Sequence, residues 1–300
     1  MISALKNTGR IRIVPVLRSS LIVLAAALAC AQFAAGTAAA SSRHTSQSIH
    51  VSYAPKGHPP VIGAGRVTPR NGTCEDGACY YWATMADSGF TATGASVSIT
   101  QNHPKVGVND YHSLAELAVE SSDGQQIVEI GWIVAQDVNG DSRTHLFVYH
   151  WVNGGGSCYN GCGFVSTSTK YTAGGLVKVG TVGTYGIHYS NGKWMLTYDG
   201  VKLGYFPESL WSGTFKSIGI VQAFGEVASS SATRPTSQMG NGIAGTNSKA
   251  ADLTKFSLIG ANTTPALSYS TIGAPAVYKV GHFTPTCTAS CHMTFGGPGY

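Results

Sequence analysis

From Cys74 onward the chain is a succession of short β-branched or aromatic runs separated by Gly, Asn, Asp and Ser. Runs of this length, bounded by turn residues, predict strands. The candidates are "GASVSITQ", "SLAELAVES", "QQIVEIGWIVAQD", "THLFVYHWV", "GFVST", "LVKVGTV", "YGIHYS", "KWMLTYDG", "VKLGYF", "KSIGIVQAFGEVAS" and "LTKFSLIG". Asn139-Gly140, Asn191-Gly192 and Asp199-Gly200 lie between such runs and read as two-residue hairpin turns. The plausible helical pieces are short, such as "PESLW" at 207–211. Many antiparallel strands joined by tight turns predict an all-β fold, an antiparallel β-sandwich of two packed, curved, jelly-roll-like sheets with few short helices.

The pattern differs before Cys74. Lys6, Arg10, Arg12 and Arg18 precede the apolar run "SLIVLAAALACAQFAAG" and the small residues "TAAASS". That order predicts a secretory signal peptide over 1–40 and a secreted, extracellular product. Residues 41–73 are rich in Ser, Pro and Gly without periodicity and read as a flexible, exposed leader or short propeptide. The folded domain is expected over 74–300, and no membrane association is expected once the leader is gone.

Charge alters this picture in one respect. The formal balance of the whole chain is +5, and without the first forty residues it is +1. The basic character belongs to the leader, and the rest carries no electrostatic footprint for nucleic acid. Six cysteines remain, Cys74, Cys79, Cys158, Cys162, Cys287 and Cys291. An even count in an exported chain favours disulfides. Local pairing is the simplest of the fifteen connectivities, with Cys158–Cys162 first among them. No spacing is Cys-x2-Cys and no His cluster accompanies the cysteines, so neither a metal nor a cofactor is expected.

Acidic residues number fourteen, and most flank turns, where carboxylates commonly sit. Two do not. Glu129 lies within "IVEIGWIV" and shares its strand face with Ile127, Gly131 and Ile133. Glu226 shares its face with Gln222, Phe224 and Ala228. A buried carboxylate needs a partner, a raised pKa or a job. A buried Arg or Lys beside each acid would answer the question, but the domain is short of cations. Two such acids sharing a concave face hold their pKa values apart, giving one proton donor and one acceptor. Gln126 and Gln222 stand near the acids as candidate donors to a reacting oxygen. His145 and His150 point to opposite strand faces and read as surface residues. "DVNGDS" at 137–142 reads as a hairpin turn rather than a calcium loop, because Val148 stands where a ligating Glu is needed. A glycoside hydrolase or a non-catalytic glycan-binding sandwich would fit paired carboxylates and strand aromatics too.

Several stretches resemble the neprosin family: "VEIGWIVAQDVNGDSRTHLFVYHW", "CYNGCGFV", "KWMLTYDGVKLGYFPESLW", "VQAFGEV", "SQMGNG" and the terminal "FGGPGY". The resemblance runs from about residue 80 to the C-terminus. It implies a secreted glutamic peptidase on an antiparallel β-sandwich, cleaving peptide or protein substrates after proline at acidic pH. The family's two catalytic glutamates fall on Glu129 and Glu226. Trp132, Trp151, Tyr159 and Phe224 are the aromatics that would hold a pyrrolidine ring. Two departures stand out. Residues 41–73 are too short for the N-terminal activation region of plant members, and Gln222-Ala223 replace the Glu-Trp that plant members tend to carry.

Overall fold

The computed structural model describes residues 52–63, 66–68, 74–75, 77–230, 234–285, 287 and 291–300. The expected signal peptide lies outside them. The principal strands are β1 (Ala78–Ala92), β2 (Gly94–Thr100), β3 (Asp110–Glu120), β4 (Ile127–Val134), β5 (His145–Val152), β6 (Val182–Ser190), β7 (Lys193–Tyr198), β8 (Val201–Pro207), β9 (Ile218–Ser230), β10 (Ala251–Ile259), β11 (Ser268–Ile272), β12 (Lys279–Gly281) and β13 (His292–Gly296). They form two antiparallel sheets packed as a sandwich. One runs in the order β11-β1-β9-β3-β4-β5 and is extended by the two-residue strands Gly155–Gly156 and Cys74–Glu75; the other runs β8-β7-β6-β2-β10-β13-β12 and is extended by Val165–Ser166.

The first sheet is buried on both faces. Tyr81, Ala83, Met85, Leu117, Val119, Val128, Ile130, Trp132 and Ala223 point inward and join the second sheet's Val97, Ile99, Tyr185, Ile187 and Trp194 in the main core. The alternate residues Tyr80, Trp82, Leu114, Ile127, Phe147, Tyr149, Trp151 and Phe224 form a second cluster on the outer face. Every residue of β4 is therefore buried. Period-2 alternation is a signal of one wet face, so it fades in a strand covered on both sides. For the same reason β1, "ACYYWATMADSGFTA", escapes a search for alternation although it is the longest strand described.

Hairpin chemistry accounts for two of the three expected turns. Asn191 and Gly192, and Asp199 and Gly200, all have positive φ and join β6 to β7 and β7 to β8 as two-residue loops. Asn139-Gly140 does not. Gln136–Asn139 forms one helical turn, which Gly140 ends in the left-handed conformation. "LVKVGTV" is also no strand before Val182. Leu176 makes an isolated bridge to His145, and Leu176, Val179 and Val182 are exposed. His145 and His150, expected at the surface, are buried. His145 lies between Asp141 and the Gly174 carbonyl, and His150 meets the Ser157 hydroxyl. "PESLW" forms the short 3-10 turn Glu208–Trp211. Cys74–Cys79, Cys158–Cys162 and Cys287–Cys291 are disulfide-bonded. Among the described residues no helix is long and apolar enough to cross a membrane.

The contact between β3 and β4 depends on one glycine. A Cβ on Gly131 would lie 2.2 Å from the Ala115 carbonyl oxygen and 2.7 Å from both Cα and Cβ of Glu116. Only glycine lets β4 lie against β3 here. Gly131→Ala is expected to cost about 1–3 kcal/mol through overpacking. Since about 1 kcal/mol moves the melting point of a domain this size by about 2–4 °C, thermal unfolding followed by circular dichroism checks it. An unchanged transition would contradict the close packing.

Candidate active site

Three adjacent strands deliver three carboxyl groups to the outer face of the first sheet. Glu226 on β9 is registered opposite Leu114 of β3, and Phe224 opposite Glu116. On the other side of β3, Glu116 is opposite Gly131 and Ala118 opposite Glu129. Glu116, Glu129 and Glu226 thus share one face, and all three are fully buried. The sequence singles out two buried glutamates, but the fold also buries Glu116 and Glu120. The signal for Glu116 was available: "SLAELAVES" places it mid-strand among apolar residues, as "IVEIGWIV" places Glu129, whereas Glu120 ends the strand.

The counter-charge comes from outside the sandwich. Residues 52–60, part of the segment read as an exposed leader or short propeptide, cross this face, and 56–60 are buried. Lys56 Nζ donates to Glu116 Oε1 at 2.8 Å and to Glu226 Oε2 at 3.3 Å, and lies 3.6 Å from Glu129 Oε2. It is buried and sits 5.6 Å from the Phe224 ring centroid. The Gly57 amide donates to Glu226 Oε1 at 3.3 Å. A Cβ on Gly57 would come within 2.8 Å of the Trp82 and Tyr80 rings, so the strap needs glycine to lie flat there. Its flanks are tied to the groove as well. The Tyr159 amide donates to the Ser52 carbonyl, the Tyr159 hydroxyl donates to the Pro55 carbonyl at 3.1 Å, and Gln222 Nε2 donates to the Pro60 carbonyl at 2.7 Å. His58 packs on Trp151 with ring centroids 4.8 Å apart.

The two glutamates singled out in the sequence have unequal surroundings. Glu226 accepts from Trp82 Nε1 at 2.9 Å and pairs with His112 Nε2 at 2.8 Å, besides the strap contacts. Burial alone would raise its pKa, but Lys56, His112 and Trp82 favour the charged form and bring it down to about 2. Glu129 accepts from Trp151 Nε1 at 3.1 Å, and its other oxygen has no hydrogen-bond donor among the described residues. Burial drives its pKa up, the Lys56 charge opposes, the Glu226 charge adds to burial, and it reaches about 7. Glu116 is pushed well above the ordinary value by burial and the charge of Glu129, against the pull of Lys56. Burial disfavours the Lys56 charge, yet the three carboxylates outweigh it and hold its pKa well above that of an exposed lysine. The arrangement can therefore hold one carboxylate and one carboxylic acid on the same floor.

The remaining candidates divide. Gln222, Phe224 and Tyr159 lie in the groove, with Gln222 Nε2 also donating to Glu120 Oε1 at 2.6 Å and its Oε1 accepting from Thr84. Gln126 does not: its side chain is engaged with Asn153 in an exposed turn. Trp132 is also elsewhere. It lies on the opposite face from Glu129, in the core between the sheets, where its indole N–H donates to the Thr100 carbonyl. The odd spacing from 129 to 132 already implies this. Trp151, two residues along β5 from Tyr149, takes the place beside Glu129. Lys56, His112 and Trp82 had no local sequence signal.

The family model for neprosin matches residues 109–298, and the chain belongs to that glutamic peptidase-like family. Its fold is similar to that of scytalido-glutamic peptidase with a bound transition-state analogue, at 7% identity and TM-score 0.35 over 72% of this chain and 98% of that one. It is also similar to a Bacteroides ovatus GH16 protein of a mixed-linkage glucan locus, at 14% identity and TM-score 0.32 over 59% and 81%. A third is CG-16, a homodimeric agglutinin from chicken liver, at 13% identity and TM-score 0.30 over 58% and 99%. Likeness at this level concerns the sandwich and carries nothing about activity.

The indole bond to Glu129 has a measurable consequence. It favours the ionised carboxyl, so Trp151→Phe should raise the Glu129 pKa above its present value, by up to about one unit. Carboxyl carbon NMR of ¹³C-glutamate-labelled protein reads this directly. A Glu129 titration that stays put or moves down would show that the indole does not set it.

Proposed function

We propose that the chain is an exported glutamic endopeptidase that hydrolyses peptide bonds, preferentially after proline and at acidic pH, with Glu129 and Glu226 as its dyad. The observation that carries this reading is the contrast between the two carboxyls. They occupy one floor, crossed by a peptide segment, and their surroundings push them toward opposite protonation states. Export is supported by the leader pattern and the three disulfides.

The roles follow from the donors around each acid. Glu226, surrounded by Trp82, His112 and a backbone amide, is the carboxylate that takes a proton from water as the water oxygen bonds to the scissile carbonyl carbon. Glu129 keeps its proton and gives it to the carbonyl oxygen as negative charge develops there. When the carbon–nitrogen bond breaks, the proton held by Glu226 passes to the departing nitrogen and Glu129 regains its own from the former carbonyl oxygen. An amide nitrogen of the strap, that of Gly57, already lies 3.3 Å from Glu226. The strap traces the path of an extended substrate, with the Tyr159 hydroxyl and the Gln222 amide as donors to its backbone carbonyls. It carries Pro55, Pro59 and Pro60 through the groove, the last two buried, which supports a preference for proline-bearing peptides.

Activity is expected to be bell-shaped. The acid limb belongs to Glu226 and the alkaline limb to Glu129, whose carboxyls stand at about 2 and about 7 with Lys56 between them, before the groove is cleared for substrate. Removing that cation moves both limbs upward, because it favours the charged forms. The test is hydrolysis of a proline-containing peptide library across pH with chelator present, on the intact chain and on Lys56→Met. Glu129→Gln and Glu226→Gln should each lower the rate by about 10²–10⁴-fold. Hydrolysis surviving both substitutions, or none in any form at any pH, would remove the reading.

A further inference from the structure

Glu116 is not needed by two-carboxylate chemistry, and yet it is the acid closest to the Lys56 ammonium. We infer that Glu116, with Glu129 and Glu226, forms a receptor for a protonated primary amine carried on an extended peptide, and that Lys56 is its tethered ligand, closing the groove. The inference rests on the groove being the peptide-binding site proposed above.

The chemistry fits an ammonium. It is a compact charge with three donors that can be aimed independently, and three carboxyls plus the Gly57 carbonyl at 3.2 Å surround it. Glu116 has no other role in view. It is fully buried, and its second oxygen has no hydrogen-bond donor among the described residues. Burying such an acid costs several kcal/mol unless a charge partner offsets it. The surrounding backbone is cut to hold it there, since Gly131 provides the room that any side chain would take from Glu116. The ligand side is shaped too. Gly57 lets the strap lie against Trp82 and Tyr80 and so lowers Lys56 into the three-carboxyl cluster.

A permanent structural ion pair would place the cation on the same framework as the acids. Lys56 instead arrives from a segment that belongs to neither sheet, held by carbonyl contacts at its ends, by the Gly57 amide on Glu226 and by His58 on Trp151. The ammonium lies 3.6 Å from Glu129 and 3.3 Å from Glu226, in the space between the two carboxyls that an attacking water would need. This gives residues 52–60 the character of a short propeptide segment acting through a single side chain.

The experiment compares lysine reactivity in the intact native chain. Brief acetylation with an amine-reactive ester, quantified by peptide mass spectrometry, should label Lys56 at least about tenfold more slowly than the exposed Lys105, Lys178 and Lys202. In Glu116→Gln the Lys56 rate should rise at least about tenfold, since removing one partner of a buried pair destabilises the charge left behind. A second measurement avoids that variant. Fluorescent peptide SYAPKGHPP, added to the Lys56→Met chain, should bind at least about tenfold more tightly than SYAPMGHPP by anisotropy. Lys56 labelling as fast as the exposed lysines, an unchanged rate in Glu116→Gln, or equal binding of the two peptides would each overturn the receptor. The peptidase reading fails separately. Slow labelling and lysine-dependent binding without hydrolysis would sink only the enzyme, whereas hydrolysis with a freely labelled Lys56 would sink only the receptor.

Discussion

A single ammonium among three buried carboxyl groups is the interaction on which the rest of the groove depends. Without it, Glu116, Glu129 and Glu226 would face one another across three adjacent strands with too few donors to satisfy them. Like charges in a dry space cannot all ionise, and a lone buried carboxylate is costly. The register of β9, β3 and β4 fixes where the acids stand, and Gly131 permits the closeness of β3 and β4. The strap then has one productive way to lie: flat on Trp82 and Tyr80, with its lysine pointing down. Each feature makes sense only in the presence of the others.

Much of this could be read from the sequence because strand alternation is a local property. It placed Glu129 with Ile127, Gly131 and Ile133, and Glu226 with Gln222, Phe224 and Ala228, and the second hydrophobic cluster keeps Ile127, Ile133, Phe224 and Ala228 on that face. The same rule, applied strictly, removes Trp132 and finds Glu116. What alternation could not supply was Lys56. Its segment has no periodicity, and its partners lie 60 and 170 residues away. The sequence offered two readings for a buried glutamate, a buried cation partner or a shared site. A cation partner is present, and it comes from a segment outside the framework that sets the acids on one face.

Turn chemistry shows a similar division. Asn191-Gly192 and Asp199-Gly200 adopt the left-handed conformations that match strand twist, and their hairpins close in two residues. Asn139-Gly140 has the same composition, but its glycine ends a helical turn whose Val138 is buried against the outer cluster. A buried apolar side chain next to the turn outweighed the hairpin preference. Local composition decides a turn only when nothing nearby needs burying.

In the proposed dyad one residue type would serve two roles. Glu129 and Glu226 are chemically identical and equally buried, so their difference lies in the neighbours their strands bring. Trp82 stands directly across from Glu226 on β1, and His112 reaches it from β3. Glu129 has the Trp151 indole and little else once Lys56 is set aside. Departure of the lysine would therefore act unequally. Glu226 keeps two donors and remains the better-stabilised carboxylate, whereas Glu129 loses its nearest positive charge and holds its proton more firmly. If the strap is a tethered ligand, clearing the groove and arming the acid are one electrostatic event.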